Sequence, residues 1–400
     1  MNDKYLTQQR GTKEIAVSLC LCVLASIVCA AQTPRAPAGV RAVWVRPLMG
    51  VNRATRSDEA QSKAHIRAEL ERLQRAGFNT IYVESIFHGY SMYPSAVLPQ
   101  RPLNFECGAE WDVLQTYLDE GKRLNLSIQA WLHIFFMWHT GQGAWQSSPL
   151  LSKHPDWLAL DKNGSPLVES EAEGASREFK KIFVSPSNPQ VREFLARAVK
   201  ELVTKYPTLA GVQLDYIRYP LHWSEAPFDY NPDTLKRFQD ATKLDAAKLS
   251  AKDTPNEWLR WQEWKTKQVT DTVKVLAEVI RAANPKLIIS AAVFPGFAEN
   301  LKVKMQDSQN WAKQGYLDAL LPMAYSRDYA KVEAWCQEFR AGIPPSVRVY
   351  PALYVGHFYD ANAKTLDMRY LAMPGKLKMD GVGLFAAQLV TDDLAAKLKW

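Results

Sequence analysis

Short apolar runs alternate with longer amphipathic stretches along almost the whole chain, the pattern of parallel strands joined by helices. Eight runs have strand length: 40–46, 80–84, 127–132, 211–215, 287–292, 319–323, 347–354 and 381–386. Between them the helical stretches are punctuated. Ile66, Leu70 and Leu73 recur at helical spacing and Gly77 follows them, while Asn188-Pro189 reads as an N-cap followed by proline at the first helical position. The connections are unequal. Helix-to-strand links are short, as in AGFNT, NPKL and MDG, whereas strand-to-helix links are long after Glu84, Leu132 and Asp215. Long loops therefore gather at the carboxyl ends of the strands, which is where a (β/α)8 barrel builds its active site. The pattern predicts an α/β fold of the TIM-barrel class. The other arrangement open to it is a doubly wound sheet, but WVRPLMGVN stands after the first strand in place of a glycine-rich phosphate turn.

Composition adds little to this, because 47% hydrophobic and 23% charged residues over 400 positions are ordinary for globular chains. The first thirty residues differ. Lys4, Arg10 and Lys13 precede an uncharged apolar run, 15–28, that closes at Val28-Cys29-Ala30, the form of a secretory signal peptide and too short to span a bilayer. The expected organisation is a signal peptide at 1–30, a linker at 31–39 and one barrel at 40–400, in a protein exported to the periplasm or beyond. Cleavage removes three bases and two acids, so the net charge goes from +7 to +6. Cys20, Cys22 and Cys29 leave with the leader; Cys107 and Cys336 remain, either paired or as two thiols. No basic block or stripe points to nucleic acid, and the mature chain has no expected membrane span.

The candidate chemistry sits at strand ends. GVQLDYIRYP carries Asp215 at the end of the fourth strand, where a carboxylate points into the cleft. Cleavage at an anomeric carbon needs one carboxylate to attack or stabilise the oxocarbenium-like centre and one acid to protonate the leaving oxygen. Asp215 suits the first role, against a structural reading in which it pairs with Arg218. Glu84, ending the second strand, is the partner candidate, against a reading as a ligand-positioning group. Glu169, Glu171 and Glu173 in the third loop and Asp229 in the fourth are rivals, and Asp318 is expected at the barrel bottom as a structural group. Sugar rings stack on aromatic faces, and Trp44, Trp131, Trp138, Trp145, Trp223, Tyr90, Tyr93, Tyr325 and Tyr354 crowd the strand ends and following loops. Arg46 and His133 are placed to hydrogen-bond sugar hydroxyls. His133 and His139 are six apart, matching no metal-ligand spacing, and the other histidines are dispersed. Neither metal nor cofactor is expected.

These segments together resemble glycosyl-hydrolase-like family 10, bacterial envelope proteins of which some cleave peptidoglycan glycan strands stripped of their peptide stems. The resemblance rests on RAVWVRP, AGFNTIYVES with GYSMYPS, WDVLQTYLDEGKRLNLSIQAWLH, HPDWLALDKNG, SPSNPQVREFLARAVKELV, GVQLDYIRYP and GYLDALLPMAY. It implies a polysaccharide substrate, a role for Asp215, and matching positions at Arg218, Tyr219 and Pro220. Many relatives carry two adjacent acids at the fourth strand; here the second position is Tyr216, and some relatives show glutamine at the position of Glu84. An extra C-terminal β-domain of the kind some relatives append is not evident, so substrate binding is expected to rest on the barrel loops. Two functions are open from the sequence: a glycoside hydrolase, and a carbohydrate-binding barrel without catalysis. A buried second carboxylate facing Asp215 discriminates between them.

Overall fold

A computed structural model describes residues 36–49, 51, 58–101, 111–168, 179–220, 228–398 and 400. The expected leader, Cys107, Trp223 and the acids at 169, 171 and 173 lie outside them. Nine parallel strands curl into a ring: β1 (Val40–Val45), β2 (Thr80–Phe87), β3 (Ser127–His133), β4 (Gly211–Asp215), β5 (Ile288–Val293), β6 (Ala319–Pro322), β7 (Arg348–Val349), β8 (Ala352–Tyr354) and β9 (Gly381–Phe385). β7 and β8 share one position. β6 pairs with β7, Met323 bridges to Ala352, β8 pairs with β9, and β9 returns to β1, which closes an eight-position TIM barrel. The single run expected at 347–354 is interrupted because Pro351 has no N–H to give the ladder.

Helices cover the outside: α1 (Glu59–Arg75), α2 (Val113–Arg123), α3 (Pro189–Lys205), α4 (Pro232–Thr242), α5 (Pro255–Ala283), α6 (Phe297–Lys304), α7 (Ser308–Lys313), α8 (Tyr329–Gly342), α9 (Val355–Phe358), α10 (Met368–Lys376) and α11 (Asp392–Lys397). The sequence signals act as read. Ile66, Leu70 and Leu73 of α1 are fully buried, and the Asn188 side chain accepts from the Gln190 N–H to cap α3. Among the described residues no helix is long and apolar enough to cross a membrane.

Alternation along the strands decides what reaches the site. One buried cluster, inside the ring, holds Val40, Ala42, Trp44, Tyr82 and Trp131; a second, between strands and helices, holds Val43, Val45, Ile81, Val83 and Leu132. With a period of two, Glu84 follows Tyr82 inward, His133 follows Trp131, and Asp215 follows Gln213, whose Oε1 accepts from Trp44 Nε1 at 2.6 Å inside the barrel. Asp318, at the opposite end, accepts from the Ile289 N–H at 2.8 Å and from Arg281, tying α5 to the barrel bottom as a structural group. β2 continues three residues past Glu84, and its register against β3 shifts between Glu84 and Ile86. Such a bulge re-aims the strand at the rim.

Candidate active site

Asp215 ends β4 with only 9% of its surface exposed. Its Oδ2 accepts from Trp131 Nε1 at 2.9 Å and its Oδ1 from the Tyr216 N–H at 2.6 Å. Tyr216 adopts φ +51°, the left-handed region that non-glycine residues seldom enter, and this turn aims the N–H back at the carboxylate. Burial raises the Asp215 carboxyl above its ordinary value; the two hydrogen bonds and the charges of Arg218 and Lys181 oppose that rise.

Glu84 projects from β2 and is 2% exposed. Arg46 Nε stands 3.7 Å and His133 Nε2 3.9 Å from its Oε1, and that oxygen has no hydrogen-bond partner. Burial pushes the carboxyl up to about 7; Arg46 and Arg101 pull it down, and the negative charge of Asp215 pushes it further up. A second buried carboxylate therefore does share the cleft with Asp215. His133 is buried beside it, and burial, with Arg46, Lys181 and Arg101 around it, keeps the imidazole neutral.

The remaining candidates divide. The Arg46 guanidinium lies 5.9 Å from the Trp131 ring and 5.7 Å from the Phe385 ring. Tyr325, beyond β6, and Tyr354, the last residue of β8, are half-buried, stand 6.0 Å apart and flank Phe385, and burial together with the charge of Asp215 holds the Tyr325 hydroxyl well above its ordinary value. Arg218 is buried, donating to the Tyr219 carbonyl at 3.1 Å with its guanidinium over Phe294, Tyr216 and Phe183. Tyr90 is half-buried 6.1 Å from Trp138, toward the third loop. Tyr219 is not brought to the cleft. Its hydroxyl donates to Asp229 at 2.6 Å within a buried network that includes Ser185 and Thr234, and Asp229 is itself fully buried there. Tyr93 turns into the core against Tyr206.

Several residues beside the carboxylates were not singled out by the sequence. Arg101 and Lys181 place positive charge around Glu84, His133 and Asp215, and the Phe385 ring at the end of β9 sits between Arg46, Trp131 and Tyr325. His88, scattered in sequence from His133 and His139, comes within 5.5 Å and 4.7 Å of their rings. The signal available was position: His88 follows a barrel strand directly. Among the described residues no group of three or more His, Cys, Asp or Glu side chains is arranged to hold a metal ion. Cys336 is buried on α8.

A closed parallel barrel with two inward carboxylates at the carboxyl ends of its second and fourth strands defines a barrel of the glycoside-hydrolase type. The chain belongs to the family glycosyl hydrolase-like 10, which it matches over residues 39–354. It is 23% identical over 309 residues to the glycosyl hydrolase YngK of Bacillus subtilis strain 168, covering 72% of this chain and 54% of that one. It is 22% identical over 407 residues to the glycosyl hydrolase DigH of Escherichia coli K12, covering 88% and 83%. The fold also matches α-L-fucosidase isoenzyme 2 from Paenibacillus thiaminolyticus (TM-score 0.59, 13% identity, 90% of this chain and 49% of that one). A β-galactosidase from Marinomonas ef1 is similar (TM-score 0.57, 13% identity, 87% and 54%). The chain thus spans about half the length of the B. subtilis relative and of both structures.

Proposed function

We propose that the protein is an exported glycosidase that cleaves glycosidic bonds in a cell-envelope or extracellular polysaccharide, with peptidoglycan strands stripped of their stem peptides as the leading substrate. The observation that carries this reading is the pair of buried, inward-facing carboxyl groups with different surroundings. Glu84, at about 7, still holds its proton near neutrality and suits the leaving-group acid; Asp215, steadied by two hydrogen-bond donors, suits the charge-bearing partner at the anomeric carbon. Tyr325, Tyr354 and Phe385 supply aromatic surface for sugar rings, above the buried Trp131 that donates to Asp215, and Arg46 and His133 supply polar groups beside them. The apolar leader after Lys4, Arg10 and Lys13 supports export.

The test uses the purified mature protein beside Asp215→Asn, each incubated with denuded and with intact peptidoglycan, and released fragments followed by mass spectrometry. Fragments from the wild type, and a release rate lower by about 10²-fold or more in Asp215→Asn, are expected, because removing charge stabilisation at the reacting centre usually costs that much. Binding to glycan without release by the wild type would instead make the protein a carbohydrate-binding barrel.

A further inference from the structure

We propose that a pocket between the loops that follow β6 and β8 is a second sugar-binding subsite, which takes a ring of the same glycan beyond the ring held at Glu84 and Asp215. It rests on the glycosidase reading for the first ring and on its own geometry for the second. The pocket encloses about 600 Å³, within the roughly 300–1,000 Å³ of small-molecule sites, and Arg327, Gly356, His357, Asp360, Thr365 and Asp367 are among the residues that line it. Both loops run from a strand to a helix, so the pocket lies on the face of the barrel that carries the two carboxylates.

Cleft and pocket share a wall. Tyr325 and Tyr354, which flank Phe385 in the cleft, stand two residues before Arg327 and Gly356 on these same loops. The Tyr354 ring meets the His357 ring at 4.8 Å and an interplanar angle of 79°. A Cβ on Gly356 would lie 2.9 Å from Tyr354 Cε1, so the missing side chain is what lets the tyrosine rest between the two spaces. A glycan lying along Tyr325 and Phe385 therefore meets the pocket once it passes Tyr354.

The pocket is built before any ligand arrives. Tyr370, on α10, donates its hydroxyl to the Ser326 carbonyl at 2.9 Å and stacks on Phe358 at 5.4 Å, which ties both loops to one helix. Beyond Phe358 the chain forms a hairpin, Tyr359–Asp360 against Thr365–Leu366, and the Tyr359 hydroxyl donates to Asp393 of α11 at 2.9 Å. Such anchoring lowers the ordering cost of binding.

The polar groups decide the kind of ligand. Asp367 is occupied, capping α10 and pairing with Arg369 at 2.7 Å. Asp360 uses Oδ1 for its turn, accepting from the N–H groups of Ala363 and Asn362 at 3.0 and 2.9 Å, and these bonds hold its carboxyl below the ordinary range, so it is a charged acceptor near neutrality. Among the described residues no hydrogen bond reaches its Oδ2. Nor does a hydrogen bond or ion pair hold the exposed Arg327 guanidinium, whose charge acts on Asp360 through space. A hydroxyl both donates and accepts, so neighbouring hydroxyls of one ring can give to Asp360 and take from Arg327. A ligand of a single charge would meet both signs, and an apolar one would strip water from both. A hydroxyl-bearing ring satisfies the two together.

The probes are the di-, tetra- and hexasaccharide of peptide-free peptidoglycan strands. Calorimetric titration of Asp215→Asn should give a Kd that falls at least about tenfold from disaccharide to hexasaccharide, and adding Arg327→Ala should cancel most of that gain, since a hydrogen bond to a charged group contributes on this scale. Arg327 is exposed and holds no other element, so its removal leaves the fold intact. Lys364→Gln takes a charge from the same hairpin outside the pocket and should keep the gain. In the active protein, kcat/KM should rise with chain length through KM, and Arg327→Ala should lose that rise. A Kd independent of length, no binding at any length, a gain kept in Arg327→Ala, or an equal loss in Lys364→Gln would each overturn the subsite, whether or not the wild type cleaves. A wild type that cleaves none of the three, while Asp215→Asn shows a length gain that depends on Arg327, would sink the glycosidase reading and leave the subsite standing.

Discussion

Glu84 and Asp215 are both raised by burial, but the opposing forces differ in kind. Asp215 accepts two hydrogen bonds, from Trp131 and the Tyr216 N–H, that are stronger when it is charged, whereas Glu84 meets Arg46 and His133 at 3.7 and 3.9 Å, too long for hydrogen bonds. A reaction that uses the acid form of Glu84 should lose rate as pH rises through about 7, where the carboxyl gives up its proton. Glu84→Gln should cut kcat/KM by about 10²–10⁴-fold and abolish that alkaline limb, which rate measurements from pH 5 to 9 would check. The inward direction of both carboxylates was legible in the sequence, because a period of two carries Tyr82 to Glu84 and Gln213 to Asp215 on the face that lines the barrel. The histidine series was not, since His88, His133 and His139 meet only through two loops whose paths no periodicity encodes. Tyr219 misled for the opposite reason: it lies four residues past a correctly read strand end, and after the left-handed turn at Tyr216 the chain points its hydroxyl at Asp229.

At the scale of elements, strands and helices follow their sequence signals closely where both faces are buried and less closely at the rims. β4 is the strand 211–215 as read, while β2 runs on to Phe87 through its bulge and the seventh run breaks at Pro351. Neither the bulge nor the break has an apolar signature; one is a matter of pairing, the other of a missing donor. β4 also shows why a glycine opens it. A Cβ on Gly211 would lie 2.4 Å from the Ile288 carbonyl oxygen of the neighbouring chain segment and 2.8 Å from Gln129 Oε1. Gly211→Ala should cost about 1–3 kcal/mol of stability, by forcing backbone and the Gln129 side chain apart, and chemical denaturation would measure it. An unchanged midpoint would mean that the strand gives way freely and does not fix Asp215.

For the whole molecule, the acid at the centre of the cleft couples stability to pH. Folded, Glu84 binds its proton up to about 7; its ordinary value is 4.5. Between those values the folded state holds the extra proton, so stability falls as pH rises, and above about 7 the loss is complete at roughly 3 kcal/mol. Glu84→Gln should therefore be more stable than the wild type at pH 8 and lose that advantage toward pH 4, read as a difference between two denaturation series. Parallel series would show that Glu84 ionises without cost. The ring around this centre is closed by two short pieces, β7 held to β6 and β8 held to β9. Across the break only single bonds carry the ladder, from the N–H groups of Tyr350, Ala324 and Gly383 to the carbonyls of Leu320, Ala352 and Pro351. In deuterated solvent those three amides should exchange before the amides of β2 and β3, so the barrel has a clasp: one station on its circumference where it can be undone while the rest of the ring holds its shape.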